Sequence, residues 1–377
     1  MSTYDAVIAG GGLIGASIAF ELAEAGMKVA LYDAREPARE ASWASAGMIS
    51  PAPEGAGMIP FMPISLASAA LYPELICKVE ELTGKDVGYL KSGALEIILE
   101  GNAQEELSTM IALQHGVGLR AEALSAQKAR QMVRSLTEQM QAAIFRPDDA
   151  TLDPRVLTEA VLEAAGAKGA QLFAHNGAKG LKKLGGQCSG LILERGEVEA
   201  KWTIIAAGCF SARIEGVAPY APVFPAKGQI LALRCASVEI KRILWTGHKY
   251  LVPRKDGRLL AGSTIERTGF DRAVTAGAIQ SILNEVIKIV PQLEVAQIEE
   301  TWTGLRPDSP DHLPIIGPTD VEGLLIATGH FRSGVLLAPI TARLIREWIT
   351  NQRVSLDWGR VSPMRFLEAN ARTVAGS

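Results

Sequence analysis

Arg306 stands in the stretch GLRPDSPDHLPIIG, Gly304 to Gly317, after a short apolar run and directly before a proline. A guanidinium presents a planar pair of N–H donors, a geometry suited to gripping a carboxylate. A proline-rich loop is stiff, and a stiff loop would hold that fork in register instead of ordering it at each binding event. A salt bridge that merely pins the loop would use the same arginine. Tyr250, in YLVPRKDGRLLAGST, adds a hydroxyl that could support the same anion or simply an aromatic that packs in a core strand. His248 lies two residues earlier and, in a strand, would project to the same face. The histidines are scattered and form no H-E-x-x-H, and the four cysteines form no C-x-x-C pair. Neither a metal site nor a disulfide framework is suggested, and a reducing cytoplasm is the expected setting.

A second stretch carries chemistry in its backbone. YDAVIAGGGLIGASIAFELAEAGMKVALYD, residues 4–33, reads as strand, glycine turn, amphipathic helix and second strand. Within it, Gly10, Gly12 and Gly15 form G-x-G-x-x-G. The first glycine permits the tight turn, the second lets backbone approach a pyrophosphate, and the third packs helix against strand. Leu13 and Ile14 open the helix, whose free N–H groups and positive dipole end favour phosphate. Asp33 ends the second strand, with Ala34 after it, where a carboxylate can take ribose hydroxyls. The unit predicts a dinucleotide fold without separating NAD from FAD.

The elements that must position these residues are bounded by size and composition. A chain of 377 residues is long for one simple core and suggests two domains. It is 48% hydrophobic and 21% charged, as in a soluble globular protein, and its 37 glycines with 6% aromatics fit an α/β protein rich in tight turns. A formal net charge of −3 without a basic tract argues against nucleic acid as a partner. Ala6 to Phe20 imitates a signal-peptide core, but MSTYD lacks Lys and Arg and Glu21 and Glu24 follow; neither a signal peptide nor a membrane span is expected. Ala142–Phe145, KSGALEIIL, KGQILAL, and the pair KYLVPR and RLLAGST around Lys255-Asp256-Gly257 read as strands. Asp153-Pro154 reads as a helix start and Gly166 as that helix's end.

Two later stretches point to FAD. EAKWTIIAAGCFS, Glu199 to Ser211, is a buried strand ending at Ala207-Gly208, and GHFRSGVLLAPITARLIREWI, Gly329 to Ile349, is a glycine-flanked turn opening a helix after the strand LLIAT. A helix N-terminus there would favour the negative charge of a reduced flavin. With ASWASAGMISP (Ala41–Pro51), YLVPRKDGRLLAGST (Tyr250–Thr264), TWTGLRPDSPDHLPIIG (Thr301–Gly317) and GHFRSGVLLAP (Gly329–Pro339) in that order, the chain resembles the FAD-dependent D-amino-acid oxidase superfamily, most closely the bacterial glycine oxidases of thiamine biosynthesis. The resemblance runs from about residue 4 to about residue 350.

It implies an α/β architecture: a Rossmann-type FAD-binding domain of discontinuous segments (1–85, 146–220 and 302–377) and an α+β substrate domain (86–145 and 221–301) with a mainly antiparallel sheet. It implies non-covalent FAD held by Gly10, Gly12, Leu13, Ile14, Gly15, Asp33, Ala34, Ser42, Ser45, Ala46, Gly47, Met48, Ala207, Gly208, Gly329, His330, Arg332, Ser333, Gly334, Val335 and Leu336. Arg306 and Tyr250 match the residues that bind the substrate carboxylate; His248, Arg332 and, near the entrance, Glu54 match pocket positions. Ile265 replaces a methionine that such oxidases can carry, a stiffer side chain beside Cα. The implied reaction is hydride transfer from a small amino acid to flavin, giving a 2-oxo acid, ammonia or amine and, with molecular oxygen, hydrogen peroxide. A dehydrogenase passing electrons to a quinone, a flavin module acting on tRNA, and a flavoprotein scaffold without turnover stay open. The resemblance also carries an expectation of homo-oligomers.

Overall fold

Runs of apolar residues punctuated by glycine build two sheets. The structure, a computed structural model, describes residues 4–52, 59, 61–99 and 103–367, with backbone alone at 103–106. Strand Tyr4–Ala9 ends in four buried residues, as a parallel strand covered on both faces must. Helix Leu13–Glu24 follows. It is closed by Gly26 at φ +81°, where the N–H groups of Gly26 and Met27 donate to the Ala23 and Leu22 carbonyls. Strand Val29–Tyr32 then runs parallel to the first.

Across the first sheet the order is Ile315–Pro318, Leu324–Thr328, Glu197–Ile205, Tyr4–Ala9, Val29–Tyr32 and Gln171–Phe173. Along this path every neighbouring pair is parallel except the Ile315–Pro318 edge, and strands Ala178–Leu184 and Gln187–Leu193 extend the sheet as an antiparallel pair joined to Glu197–Ile205. Helices Leu13–Glu24, Met62–Thr83, Pro154–Ala167 and Gly334–Asn351 share one apolar core with it. Its strands come from three separated stretches of sequence, the discontinuous arrangement expected of the dinucleotide domain. Asp153 caps helix Pro154–Ala167 by accepting from the Arg155 and Val156 N–H groups. Gly166, expected to end that helix, lies inside it; a single glycine costs about 1 kcal/mol there, and the alanine-rich turn around it absorbs that. The chain turns instead at Gly169, φ +99°.

The second sheet runs Gln297–Asp308, Phe224–Arg234, Leu259–Gly262, Lys249–Pro253, Ile243–Thr246, Ala94–Ile98, Ala142–Arg146 and Glu122–Ser125. It is antiparallel apart from the pair Ile243–Thr246 and Ala94–Ile98. Alternation sorts its residues. Leu95, Leu231, Leu233, Leu244 and Leu251 lie on one face with Ile282, Val286 and Ile289 of helix Ala276–Ile289. Ala94, Ile230, Trp245, Tyr250 and Trp302 lie on the other, with Ala44 and Ala46 of the first domain.

This sheet revises three expectations. Arg306 is not on a loop: strand Gln297–Asp308 pairs with Phe224–Arg234 as far as Asp308, with Arg306 opposite Ala226. Its rigidity comes from a ladder, and Pro307 is tolerated near the ladder's end. The expected domain division at 302 falls inside this strand. His248 is not on a strand but in the exposed two-residue turn with Gly247 that joins Ile243–Thr246 to Lys249–Pro253. Among the described residues no helix is long and apolar enough to cross a membrane, and no group of His, Cys, Asp and Glu could hold a metal.

Candidate active site

The two sheets meet along a cleft of about 950 Å³. At one end it is made of backbone. A Cβ on Gly15 would stand 1.9 Å from the Gly10 carbonyl oxygen, and one on Gly10 would stand 2.4 Å from that of Ala206. These two glycines hold strand and helix together. Gly12 differs: the nearest protein atom to its Cβ position is Ser42 Oγ at 3.4 Å, so its missing side chain leaves room for something other than protein. Ser42 Oγ accepts from the Leu13 N–H at 2.9 Å and fixes the helix entrance. Asp33 accepts from the N–H groups of Gly11 (2.7 Å) and Arg35 (2.9 Å). Burial raises its pKa, and those two donors oppose the rise. A glycine cradle at a helix N-terminus, with a carboxylate one strand away, fits the phosphates and ribose of a dinucleotide.

The middle of the cleft is bordered by Ala41–Gly47 and by His330–Leu336. Gly47, φ +66°, passes so close to Leu152 that a Cβ would stand 2.1 Å from its carbonyl oxygen. Arg254 Nη2 donates to the Ala46 carbonyl at 2.9 Å and Trp302 Nε1 to that of Ala44 at 3.0 Å, clamping the segment to the second sheet. Arg254 is half-buried, and desolvation lowers its pKa to about 10. On the opposite side Gly329, φ +72°, packs behind the wall on Ile315 and turns the chain into helix Gly334–Asn351. His330 is fully buried, its Nε2 3.0 Å from Thr341 Oγ1, and desolvation pushes its pKa down to about 3.

The other end is made of side chains. Arg306 Nη2 donates to Ser263 Oγ at 2.7 Å and Nη1 to the Thr264 carbonyl at 3.1 Å. Its guanidinium lies over Gly228, where a Cβ would meet both terminal nitrogens at 2.3 Å. Tyr250 is buried, edge-on to Trp245 at 5.5 Å, with its hydroxyl over Gly262. Lys249 Nζ donates to the Ser263 carbonyl at 2.8 Å; its pKa is lowered by burial first, then by Arg332 and Arg306 nearby.

Most of the residues singled out in the sequence border this one cleft: the Gly10–Ile14 turn, Asp33 and Ala34, Ser42 and Ser45–Met48, Ala207 and Gly208, His248, Tyr250, Arg306 and His330–Leu336. Gly15 and Gly329 support it from behind. Ile265 is 47% exposed and does not border the cleft, so its position gives no support to a role beside Cα. Glu54 lies outside the described residues. Sequence reasoning missed Gly228, Ser263, Arg254, Trp245 and Glu96. Gly228 left one signal, a glycine inside a strand, which marks a close approach.

Comparison with known proteins agrees with this arrangement. The family model DAO, FAD dependent oxidoreductase, matches residues 5–348. The chain is 34% identical over 374 residues to the bifunctional protein ThiO/ThiG of Synechocystis sp., covering 97% of this chain and 54% of that one. It thus spans about half the length of such bifunctional relatives. It is 30% identical to the glycine oxidase of Geobacillus kaustophilus over 97% of each chain. The crystal structure of glycine oxidase from Geobacillus kaustophilus superposes with a TM-score of 0.90 at 30% identity, over 97% of this chain and 99% of that one. Iminodiacetate oxidase from Chelativorans sp. BNC1 superposes with a TM-score of 0.86 at 28% identity, over 95% and 98%. A glycine cradle fitted to a dinucleotide, two sheets closing on one cleft and a match along most of its length make this chain a member of the DAO family of FAD-dependent oxidoreductases.

Proposed function

We propose that the protein oxidises a small amino acid at the carbon bearing its amine, glycine, sarcosine and small D-amino acids being the substrate class. Bound along the cleft, FAD supplies the two-electron acceptor. The observation that carries the reading is Arg306, held by Ser263 and Thr264 over Gly228 and beside the Tyr250 wall. Two parallel donors on a rigid strand suit a carboxylate, and Tyr250 would add a third. Lys249, fixed to the Ser263 carbonyl, adds positive charge behind them. With the carboxylate anchored there, the rest of the substrate is oriented and the amine-bearing carbon faces the middle of the cleft. Amino acid, oxygen and water would give 2-oxo acid, ammonia or amine, and hydrogen peroxide. The glycine oxidase and iminodiacetate oxidase relatives act, by their names, on acids of this kind.

The test is the visible spectrum of the purified holoprotein before and after anaerobic addition of glycine, sarcosine or D-alanine. Bleaching of the oxidised flavin band by one of them is expected; a band unmoved by all three overturns the reading. Arg306→Leu should raise KM about 100-fold, the scale of a lost charge-assisted pair, with flavin content unchanged.

A further inference from the structure

A row of residues crosses the cleft face of the second sheet in register. Glu96 is opposite Trp245, Trp245 is opposite Tyr250, and Tyr250 is opposite Gly262. Arg306 reaches Ser263, next to Gly262, so Arg306 and Glu96 flank Tyr250 from opposite sides. Two strand spacings put the Glu96 backbone about 10 Å from that of Tyr250. Glu96 Oε2 accepts from Arg146 Nη1 at 2.7 Å, Arg146 Nε donates to Asp149 Oδ2 at 3.2 Å, and Ser50 Oγ donates to Asp149 Oδ2 at 2.5 Å. The side chains of Arg146 and Asp149 are sealed, at 6% and 2% exposure, whereas that of Glu96 keeps 24% and borders the cleft. Burial raises the pKa of Asp149, whereas the Glu96 carboxylate stays partly exposed and accepts one side-chain hydrogen bond, from Arg146, among the described residues.

A second observation comes from another element. Gln114, on helix Ala103–Gly116, borders the same cleft and is 4% exposed, yet its Oε1 has no hydrogen-bond partner among the described residues. That helix packs Met110 against the cluster containing Ile144, and Ile144 is directly opposite Glu96. A buried acceptor without a donor and a carboxylate with spare capacity both call for a donor. Met110 and Leu113 border the cleft here and offer an apolar path, and Trp245, between Glu96 and Tyr250, brings one buried donor, Nε1–H, that has no hydrogen-bond partner among the described residues.

We propose that this corner is a second substrate subsite, which takes an ammonium group carried several bonds away from the carboxylate on Arg306. The substrates then extend beyond glycine, sarcosine and small D-amino acids to amino acids with a basic side chain or a basic N-substituent. The proposal rests on the reading of Arg306 as the carboxylate anchor.

The experiment titrates the holoprotein with pentanoate, 5-aminopentanoate and glutarate, followed by perturbation of the flavin absorbance. None carries an α-amine, so binding is read without turnover. We expect 5-aminopentanoate to bind at least tenfold tighter than pentanoate, with glutarate weakest. Glu96→Gln should bring the tenfold ratio close to one, and Gln114→Leu should reduce it. Equal affinity for pentanoate and 5-aminopentanoate, tighter binding of glutarate, no binding of 5-aminopentanoate, or a preference that survives Glu96→Gln would each overturn the subsite. The wild-type ranking decides even if a variant fails to fold. Arg306→Leu separates the two readings: it should weaken all three ligands alike, and if it does not, the carboxylate anchor is what fails.

Discussion

The two ends of the cleft recognise by different means. The dinucleotide end works by what is missing: Gly10 and Gly15 bring backbone where any side chain would strike protein, and Gly12 leaves room beside the helix entrance. The substrate end works by what is present: Arg306, Tyr250 and Glu96 project from strands far apart in sequence, each held by neighbours from other segments of the chain. A site made of absences is compact in sequence, because one turn supplies it. A site made of side chains is spread over the whole second sheet and depends on register.

The largest effect should come from the glycines, and it should divide. Gly15→Ala forces a methyl to within 1.9 Å of a backbone oxygen inside the protein. It should lower Tm by several degrees and abolish flavin retention together. Gly12→Ala meets only Ser42 Oγ at 3.4 Å. Its Tm should stay within about 2 °C of wild-type apoprotein, since nothing in the fold is displaced, while the flavin-to-protein absorbance ratio falls to near zero. If both variants lose stability alike, Gly12 is structural and the contrast between the two ends weakens.

A glycine also serves the substrate end, at one remove. A methyl on Gly228 would stand 2.3 Å from both terminal nitrogens of Arg306. Gly228→Ala should push the guanidinium off Ser263 and raise KM for amino acids about tenfold, with flavin content and kcat nearly unchanged, because uniform binding alone is lost. An equal fall in kcat would mean that the displaced group acts on the reacting carbon, not on an anchor.

This division explains what could be read without a structure. Gly10, Gly12 and Gly15 with Asp33 were legible because strand, turn and helix are consecutive and each glycine has a steric reason. Runs such as KGQILAL were legible as strands from their short β-rich stretches, yet their partners were not. Nothing in the order of residues says that Glu96 will lie two strands from Tyr250, since that pairing joins Ala94–Ile98 to Ile243–Thr246 across a long separation. Arg306 was legible as a chemical group but misplaced on a loop, because the prolines after it hide a strand whose partner lies some eighty residues earlier. His248 failed for the reverse reason: a two-residue turn looks, in sequence, like one more alternation.

His330 stands between the two modes. Its backbone belongs to the wall beside the cleft, but its imidazole is turned inward to Thr341 and is fully buried. Burial holds its pKa at about 3, below the ordinary value of 6.5. The unfolded chain therefore takes up the proton first as pH falls. The stability linked to His330 is fully present above pH 6.5 and is lost progressively as pH falls from there toward 3. One site changes the slope by at most about 1.4 kcal/mol per pH unit. Asp148 also loses stability in acid, because Arg120 and Lys91 hold its pKa down at about 2, but its window opens only below the ordinary 3.8. The two can therefore be told apart between pH 6 and 4. His330→Gln should leave Tm near neutrality within a few degrees of wild type and flatten its decline across that interval. An unchanged slope would mean that the imidazole gains a proton or a water without leaving its pocket, and that the wall beside the cleft is less tightly closed than its packing indicates.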